Sequence, residues 1–161
     1  MPLIPVAPLS VPALVEANER PAAIRACSRD GDDGAGSAVV DLRVLIVDDE
    51  KEFLDSFRWV LEELYGCSVD EAEHAQELDQ RISSGTTFDL IFIDVQMPEK
   101  DGFKIYEELQ ATGNITPVVL MSALAQNRSR VERLGILFFD KALDGPTLDG
   151  IISKHGGRRV Q

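Results

Sequence analysis

The chain has 161 residues and a mass of 17.7 kDa, which is the length of one ordinary domain with a tail. Its apolar content of 44% and charged content of 27% are typical of globular proteins that bury a core. The net charge of −12 argues against non-specific binding to nucleic acid or to anionic membranes. The sequence lacks the long uninterrupted apolar run of a transmembrane helix.

The cysteines and histidines are too few for several kinds of site. Cys27 and Cys67 cannot build a disulfide framework or a four-ligand zinc site. His74 and His155 are likewise too few for a histidine-based metal cluster. We therefore interpret the two cysteines as reduced thiols of a cytoplasmic protein.

The first forty residues differ in composition from the rest of the chain. Several prolines interrupt them, and the segment 30–37 is acidic and rich in glycine. A signal peptide needs a basic start and an unbroken apolar stretch, and this segment has neither. We predict a flexible N-terminal tail at 1–40, an ordered domain at 41–155 and a short C-terminal tail at 156–161.

Within 41–155, two hydrophobic patterns alternate. Short apolar runs at 42–47, 88–93, 117–121 and 136–139 predict strands that are buried on both faces, and 67–72 predicts a weaker strand. Apolar residues at helical spacing predict a helix after each strand: at 53–64, at 75–84, between a capping Asp101 and Gly113, at 126–134 and at 146–155. Five strands alternating with five helices indicate a doubly wound α/β fold with a parallel sheet covered on both faces.

Polar residues stand where the four apolar strands end. Asp48 and Asp49 follow the first of them, and Asp94, Ser122 and Lys141 follow the others. Ligands of open α/β sheets bind beyond this carboxyl edge. Converging carboxylates repel each other by roughly 4 kcal/mol per pair at about 4 Å, and a hard divalent cation such as Mg²⁺ relieves that repulsion. A lysine and a hydroxyl suit phosphoryl oxygens, and a carboxylate can itself be the nucleophile.

These residues resemble the receiver domain of bacterial two-component response regulators. The resemblance rests on Asp48-Asp49, on the run Asp94-Val95-Gln96-Met97-Pro98-Glu99-Lys100-Asp101-Gly102, on Ser122-Ala123 and on Lys141. It covers residues 41–155 and favours either a single-domain receiver of the chemotaxis type or a receiver cut from a longer protein. The separations are 45 residues from Asp49 to Asp94, 28 from Asp94 to Ser122 and 19 from Ser122 to Lys141. The last two are slightly short, which suggests a trimmed fourth helix.

The resemblance implies a fold and a chemistry. The fold is flavodoxin-like, with strand order 2-1-3-4-5. Asp94 would accept a phosphoryl group from a histidine kinase or a phosphotransfer protein. Asp49 and Asp94 would bind Mg²⁺ directly, Asp48 would bind it through water, and the backbone carbonyl of Gln96 would complete the protein ligands.

The resemblance also implies how the signal leaves the domain. Lys141 would pair with the phosphoryl group, Ser122 would turn to hydrogen-bond it, and Phe138 would follow inward as the switch aromatic. A downstream protein would then bind the face formed by the fourth helix, fifth strand and fifth helix, and a phosphorylation-dependent homodimer is left open. Neither nucleic acid nor membrane is expected as a direct partner.

Two departures and two alternatives accompany this interpretation. The family usually has Lys-Pro and Gly-Ala where this chain has Lys141-Ala142 and Gly135-Ile136, which affects the output surface more than the chemistry. One alternative is an interaction module that keeps the fold without phosphorylation. The other is a phosphatase with an aspartyl-phosphate, but such enzymes usually place a second acid where this chain has Gln96. We expect self-catalysed phosphotransfer and dephosphorylation, not an enzyme acting on an independent substrate.

Overall fold

A computed structural model describes residues 41–142, 144–157 and 159–160. The predicted tail at 1–40 and Cys27 lie outside these residues. The strands are β1 (Arg43–Val47), β2 (Ser68–Ala72), β3 (Leu90–Asp94), β4 (Val118–Ser122) and β5 (Leu137–Asp140). The helices that alternate with them are α1 (Lys51–Tyr65), α2 (Ala75–Ser83), α3 (Gly102–Ala111), α4 (Ala125–Arg133) and α5 (Gly145–Lys154).

The five strands form one parallel sheet in the order β2-β1-β3-β4-β5. This confirms the flavodoxin-like α/β fold. The chain winds outward from β1 in one direction to β2 and then in the other direction to β3, β4 and β5. The strand order therefore reverses between β1 and β3, and the crevice of a doubly wound fold opens at their carboxyl ends.

Alternate residues of each central strand enter different halves of the core. On β1, Val44 and Ile46 face a layer formed by α1 and α5, whereas Leu45 and Val47 face the layer of α2, α3 and α4. All four of these side chains are fully buried. The strands are continuously apolar because helices cover both faces of the sheet.

Aromatic packing joins α1 to the sheet. The ring of Phe57 stacks on Phe139 at a centroid distance of 5.2 Å and meets the ring of Phe92 edge-on at 5.0 Å. Such pairs contribute about 0.5–1.5 kcal/mol each beyond the area that they bury. This cluster fixes α1 against β3 and β5, the two strands that lead to Asp94 and Lys141.

The strands β3 and β4 end at the polar residues predicted to close them, and β5 ends one residue before Lys141. Asp94, Ser122 and Asp140 are the last residues of β3, β4 and β5, because Asp94 pairs with Met121 and Ser122 with Asp140 in the parallel ladder. The side chains of Asp94 and Ser122 are consequently held by a strand and are 2% and 1% exposed. Phe138, expected in the core, is only partly buried.

The described part of the predicted C-terminal tail packs beside α1 and α5. The Val160 amide donates to the Leu64 carbonyl at 2.6 Å. Gly157 is buried, and a Cβ placed on it would lie 2.4 Å from Ile152 Cγ2 and 2.6 Å from Leu42 Cδ1. None of the helices in the described residues is long and apolar enough to cross a membrane.

Candidate functional site

Three carboxylates meet at the carboxyl ends of β1 and β3. Asp48 is fully buried immediately after β1, Asp94 is buried at the end of β3, and Asp49 is the most open to solvent. Each offers an oxygen within 4.8 Å of the others. The cluster forms because β1 and β3 are hydrogen-bonded neighbours in register, with Val47 opposite Ile93.

Backbone groups fix the two buried carboxylates. The Glu50 amide donates to Asp48 Oδ1 at 2.9 Å, and the Gln96 amide donates to Asp94 Oδ1 at 3.2 Å. Both contacts join residues two apart, as in an Asx turn. The Asp94 and Asp48 side chains are thereby turned toward the same point, and each keeps its second oxygen, Oδ2, for another partner.

The start of α3 lies directly against the backbone of Asp94. The Gly102 amide donates to the Val95 carbonyl at 3.0 Å, and a Cβ on Gly102 would lie 2.3 Å from the Asp94 carbonyl oxygen. Only glycine fits this close approach. Asp101 caps the helix as predicted, since its Oδ1 accepts the Phe103 amide at 2.8 Å.

Lys141 reaches into the cluster from the end of β5. Its Nζ lies 2.9 Å from Asp48 Oδ2, 3.0 Å from Glu50 Oε1 and 3.7 Å from Asp94 Oδ2. The side chain is 9% exposed, and its ammonium also lies 4.5 Å from the centre of the Phe53 ring. Burial alone would lower the pKa of Lys141, but its hydrogen bonds to Asp48 and Glu50, together with the charges of Asp94 and Asp48, outweigh burial and raise it. Lys141 is therefore a charged ammonium at neutral pH.

The single positive charge of Lys141 does not neutralise the negative charges of the buried carboxylates. Burial raises the pKa of Asp94 to about 7, the charge of Asp48 adds to the increase, and Lys141 opposes it. Burial also raises the pKa of Asp48, although Lys141 and the Glu50 amide lower it. Three hard oxygen donors that are crowded and underneutralised match the ligand set of a hard divalent cation, so the residues present fit Mg²⁺.

Ser122 lies at the end of β4, the strand next to β3. Its Oγ accepts hydrogen bonds from the Leu124 amide at 3.0 Å and from Asn127 Nδ2 at 2.8 Å. Its carbonyl accepts the Lys141 amide at 3.2 Å. This backbone contact places Lys141 and Ser122 side by side at the same edge of the sheet.

The structure brings together Asp48, Asp49, Asp94 and Lys141, as the sequence predicted. Ser122 stands at the neighbouring strand end, bonded to α4. The predicted role of the Gln96 carbonyl as a metal ligand stays a prediction, and so does the switching role of Phe138, whose ring lies 5.5 Å from the Arg128 guanidinium.

Sequence reasoning missed two partners of the site. Glu50 pairs with Lys141 across 91 residues, and Asn127 bonds to Ser122 from the first turn of α4. A weak signal for Glu50 was its place directly after Asp48-Asp49. The spacing of five residues between Ser122 and Asn127 carries no such signal, because a loop of unknown geometry separates them.

A 2-1-3-4-5 parallel sheet with an acidic cluster at its switch point defines a class of doubly wound α/β proteins that bind their ligand between β1 and β3. Within that class, the family model of the response regulator receiver domain matches residues 44–143. This match covers more than half of the chain, which therefore belongs to the receiver domain family of two-component response regulators.

Curated relatives share the receiver region with this chain. A gliding motility regulatory protein of Myxococcus xanthus is 38% identical over 86 residues, which are 52% of this chain and 11% of that protein. The regulatory protein AtoC of Escherichia coli is 32% identical over 109 residues, which are 66% of this chain and 23% of AtoC. The chain thus spans less than a quarter of the length of these two proteins.

Solved receiver structures are similar in fold. The response regulator TrrA of Thermotoga maritima, in complex with Mg²⁺ and BeF, is 25% identical with a TM-score of 0.61, covering 71% of this chain and 98% of that one. The receiver domain of Francisella response regulator 1452 is 26% identical with a TM-score of 0.59, covering 71% and 93%. The acidic cluster of this chain is typical of the magnesium-binding site of receivers, and it is consistent with signalling by aspartate phosphorylation.

Proposed function

We propose that this chain is a phosphorylation switch in which Asp94 accepts a phosphoryl group from a histidine kinase or a phosphotransfer protein. The observation that carries the proposal is the position of Asp94 Oδ2, which is buried beside Asp48 and 3.7 Å from the ammonium of Lys141. A carboxylate in such surroundings is held in place, is poorly solvated and has a cation beside it for incoming negative charge.

In the transfer, an oxygen of the ionised Asp94 carboxylate forms a bond to phosphorus. The bond from phosphorus to the donor's imidazole nitrogen breaks, and its electron pair returns to that nitrogen, which is then protonated. The product on this chain is an acyl phosphate. Water later attacks phosphorus and restores the carboxylate with release of inorganic phosphate, so the domain returns to its resting state without a second substrate.

Asp48, Asp49 and Asp94, together with the Gln96 carbonyl, would hold Mg²⁺ at this site. Bound there, the cation neutralises negative charge on the carboxylates and on phosphoryl oxygens. The burial that raises the pKa of Asp94 to about 7 would otherwise leave part of the nucleophile protonated at neutral pH. Lys141 supports the same charge state, because its ammonium favours the ionised form of Asp94.

Output is proposed to be contact with another protein through the face of α4, β5 and α5. Ser122 and Phe138 would couple the phosphoryl group to that face, since they lie on the neighbouring strands β4 and β5 that lead into it. We propose further that the domain, at 41–155, works in the cytoplasm as a single-domain receiver; family membership supports the receiver role. A homodimer is one form that the contact could take.

The first test is intact-mass measurement after incubation with acetyl phosphate and Mg²⁺. We expect the wild type to gain one phosphate, and Asp94→Asn to gain none while keeping its fold. A matched control is Asp79→Asn, an exposed acid on α2, which should label like the wild type. Label retained in Asp94→Asn would overturn the assignment of the acceptor. A wild type labelled neither by acetyl phosphate nor by a panel of phosphorylated kinases would favour an interaction module that works without phosphorylation.

A further inference from the structure

Among the residues that the structure describes, the hydroxyl of Ser122 is fully engaged as an acceptor and unused as a donor. A hydroxyl oxygen can accept two hydrogen bonds and donate one. Both acceptor positions of Ser122 are taken, one by the Leu124 amide and the other by the side-chain amide of Asn127. Within the described part of the chain, the hydroxyl hydrogen has no acceptor, although the side chain is only 1% exposed.

The two groups that hold Ser122 both belong to the start of α4. Leu124 is the residue before the helix and Asn127 lies in its first turn. Elsewhere α4 is anchored by Val131, its one buried side chain, and by the guanidinium groups of Arg128 and Arg130, which lie over the rings of Phe138 and Phe103. The contacts to Ser122 are therefore a substantial part of what attaches the first turn of α4 to the sheet.

Only the side chain of Ser122 is free to change its conformation. Its backbone is fixed in β4, where it pairs with Asp140 and its carbonyl accepts the Lys141 amide. A rotation between staggered states about the Cα–Cβ bond moves Oγ by roughly 120°. Such a rotation would take Oγ away from the Leu124 and Asn127 donors together.

We propose that Asn127 is a positioning residue for Ser122. In the resting protein its side-chain amide holds the Ser122 hydroxyl toward α4. When Ser122 turns to donate its unused hydrogen to a phosphoryl oxygen on Asp94, it gives up this bond, and the first turn of α4 loses its attachment. The inference rests on the proposed phosphorylation of Asp94 and adds the contact through which the change reaches α4.

The main test measures how tightly the protein binds beryllofluoride, a phosphoryl analogue, by calorimetry in excess Mg²⁺. One neutral hydrogen bond that must break on binding corresponds to a change of about two- to ten-fold in affinity. We expect Asn127→Ala to bind beryllofluoride more tightly by that factor. The matched control is Gln126→Ala, which removes an exposed amide from the preceding position of the same helix and should bind like the wild type.

A double-mutant cycle separates this role from a general effect on the helix. In the Ser122→Ala background the partner of Asn127 is absent, so adding Asn127→Ala should leave the affinity unchanged. Asn127→Ser, with a shorter polar side chain, replaces the alanine variant if that variant does not fold.

A spectroscopic signature tests the contact directly. The two side-chain ¹⁵N–¹H resonances of Asn127 are identified by their loss in Asn127→Ala. Beryllofluoride should shift them in the wild type, and Ser122→Ala should shift them in the same direction before any beryllofluoride is added. A purely structural asparagine would show neither shift.

The outcomes distinguish the inference from the proposed function. A wild type that binds no beryllofluoride would contradict the proposed function itself. A wild type that binds, with Asn127→Ala equal to it or weaker, would overturn the positioning role and leave the phosphorylation site standing. The positioning role would also be overturned if Asn127→Ala changed the affinity for beryllofluoride equally in the wild-type and Ser122→Ala backgrounds.

Discussion

The substitution Asp94→Asn should make the metal-free protein more stable than the wild type, and the gain should grow as pH rises from about 4 to about 7. The folded protein raises the pKa of Asp94 from 3.8 to about 7, chiefly by burial and then by the charge of Asp48. Between these two values the folded state keeps a proton that the unfolded chain has lost. The stability that depends on this proton therefore falls as pH rises from about 4 to about 7.

The magnitude follows from the width of that window. One pKa unit corresponds to about 1.4 kcal/mol, so the wild type should lose about 2 kcal/mol relative to Asp94→Asn between roughly pH 5.5 and pH 8. Asparagine imitates the protonated acid in shape and is neutral at every pH. The contribution of His155, whose pKa is lowered by burial, has the opposite sign and is common to both proteins, so it largely cancels in the difference.

The assay is urea unfolding of both proteins in EDTA at intervals from roughly pH 5.5 to pH 8.5. We expect Asp94→Asn to be the more stable over this whole range, with the difference between the two free energies of unfolding widening by about 2 kcal/mol up to roughly pH 7.5 and levelling off above it. Excess Mg²⁺ should remove most of the divergence, because the cation relieves the same crowding. Parallel curves in EDTA would refute the claim that Asp94 is ionised at a cost in the folded protein.

Three further predictions concern the surroundings of Asp94. Mg²⁺ at millimolar concentration should raise the melting temperature of the wild type by several degrees through binding linkage, and no shift up to tens of millimolar would count against the cation site. Lys141→Ala should lower the free energy of unfolding by about 3 kcal/mol, because it leaves Asp48 and Asp94 buried without the ammonium of Lys141. The variant should still bind Mg²⁺, but its affinity for an output partner should no longer depend on phosphorylation. A pull-down of the partner with and without beryllofluoride checks this. Gly102→Ala should destabilise the fold, because its Cβ would collide with the Asp94 carbonyl. The control Gly150→Ala, which lies in α5 with open space around it, should instead stabilise the fold by about 0.5–1 kcal/mol. Urea unfolding of both variants gives the comparison.

The sequence was sufficient to predict the kind and order of the elements. Continuous apolar runs such as Leu45–Val47 occur in strands covered on both faces, and helical spacing recurs between them. Right-handed crossovers then bring all carboxyl ends to one edge. That is why Asp48, Asp94 and Lys141 could be placed together before any coordinates.

The tertiary structure decided which side chains pair within that edge. Lys141 could have paired with any of the nearby acids, and it lies closer to Asp48 and Glu50 than to Asp94. This choice depends on rotamers and on the turn after β1, which sequence spacing does not encode. The same holds for Asn127, which meets Ser122 across the short turn Ala123-Leu124 between β4 and α4. Hydrophobic periodicity determines which elements form and which way they face, whereas the partners of a buried charge or hydroxyl are settled only when the packed elements fix their distances.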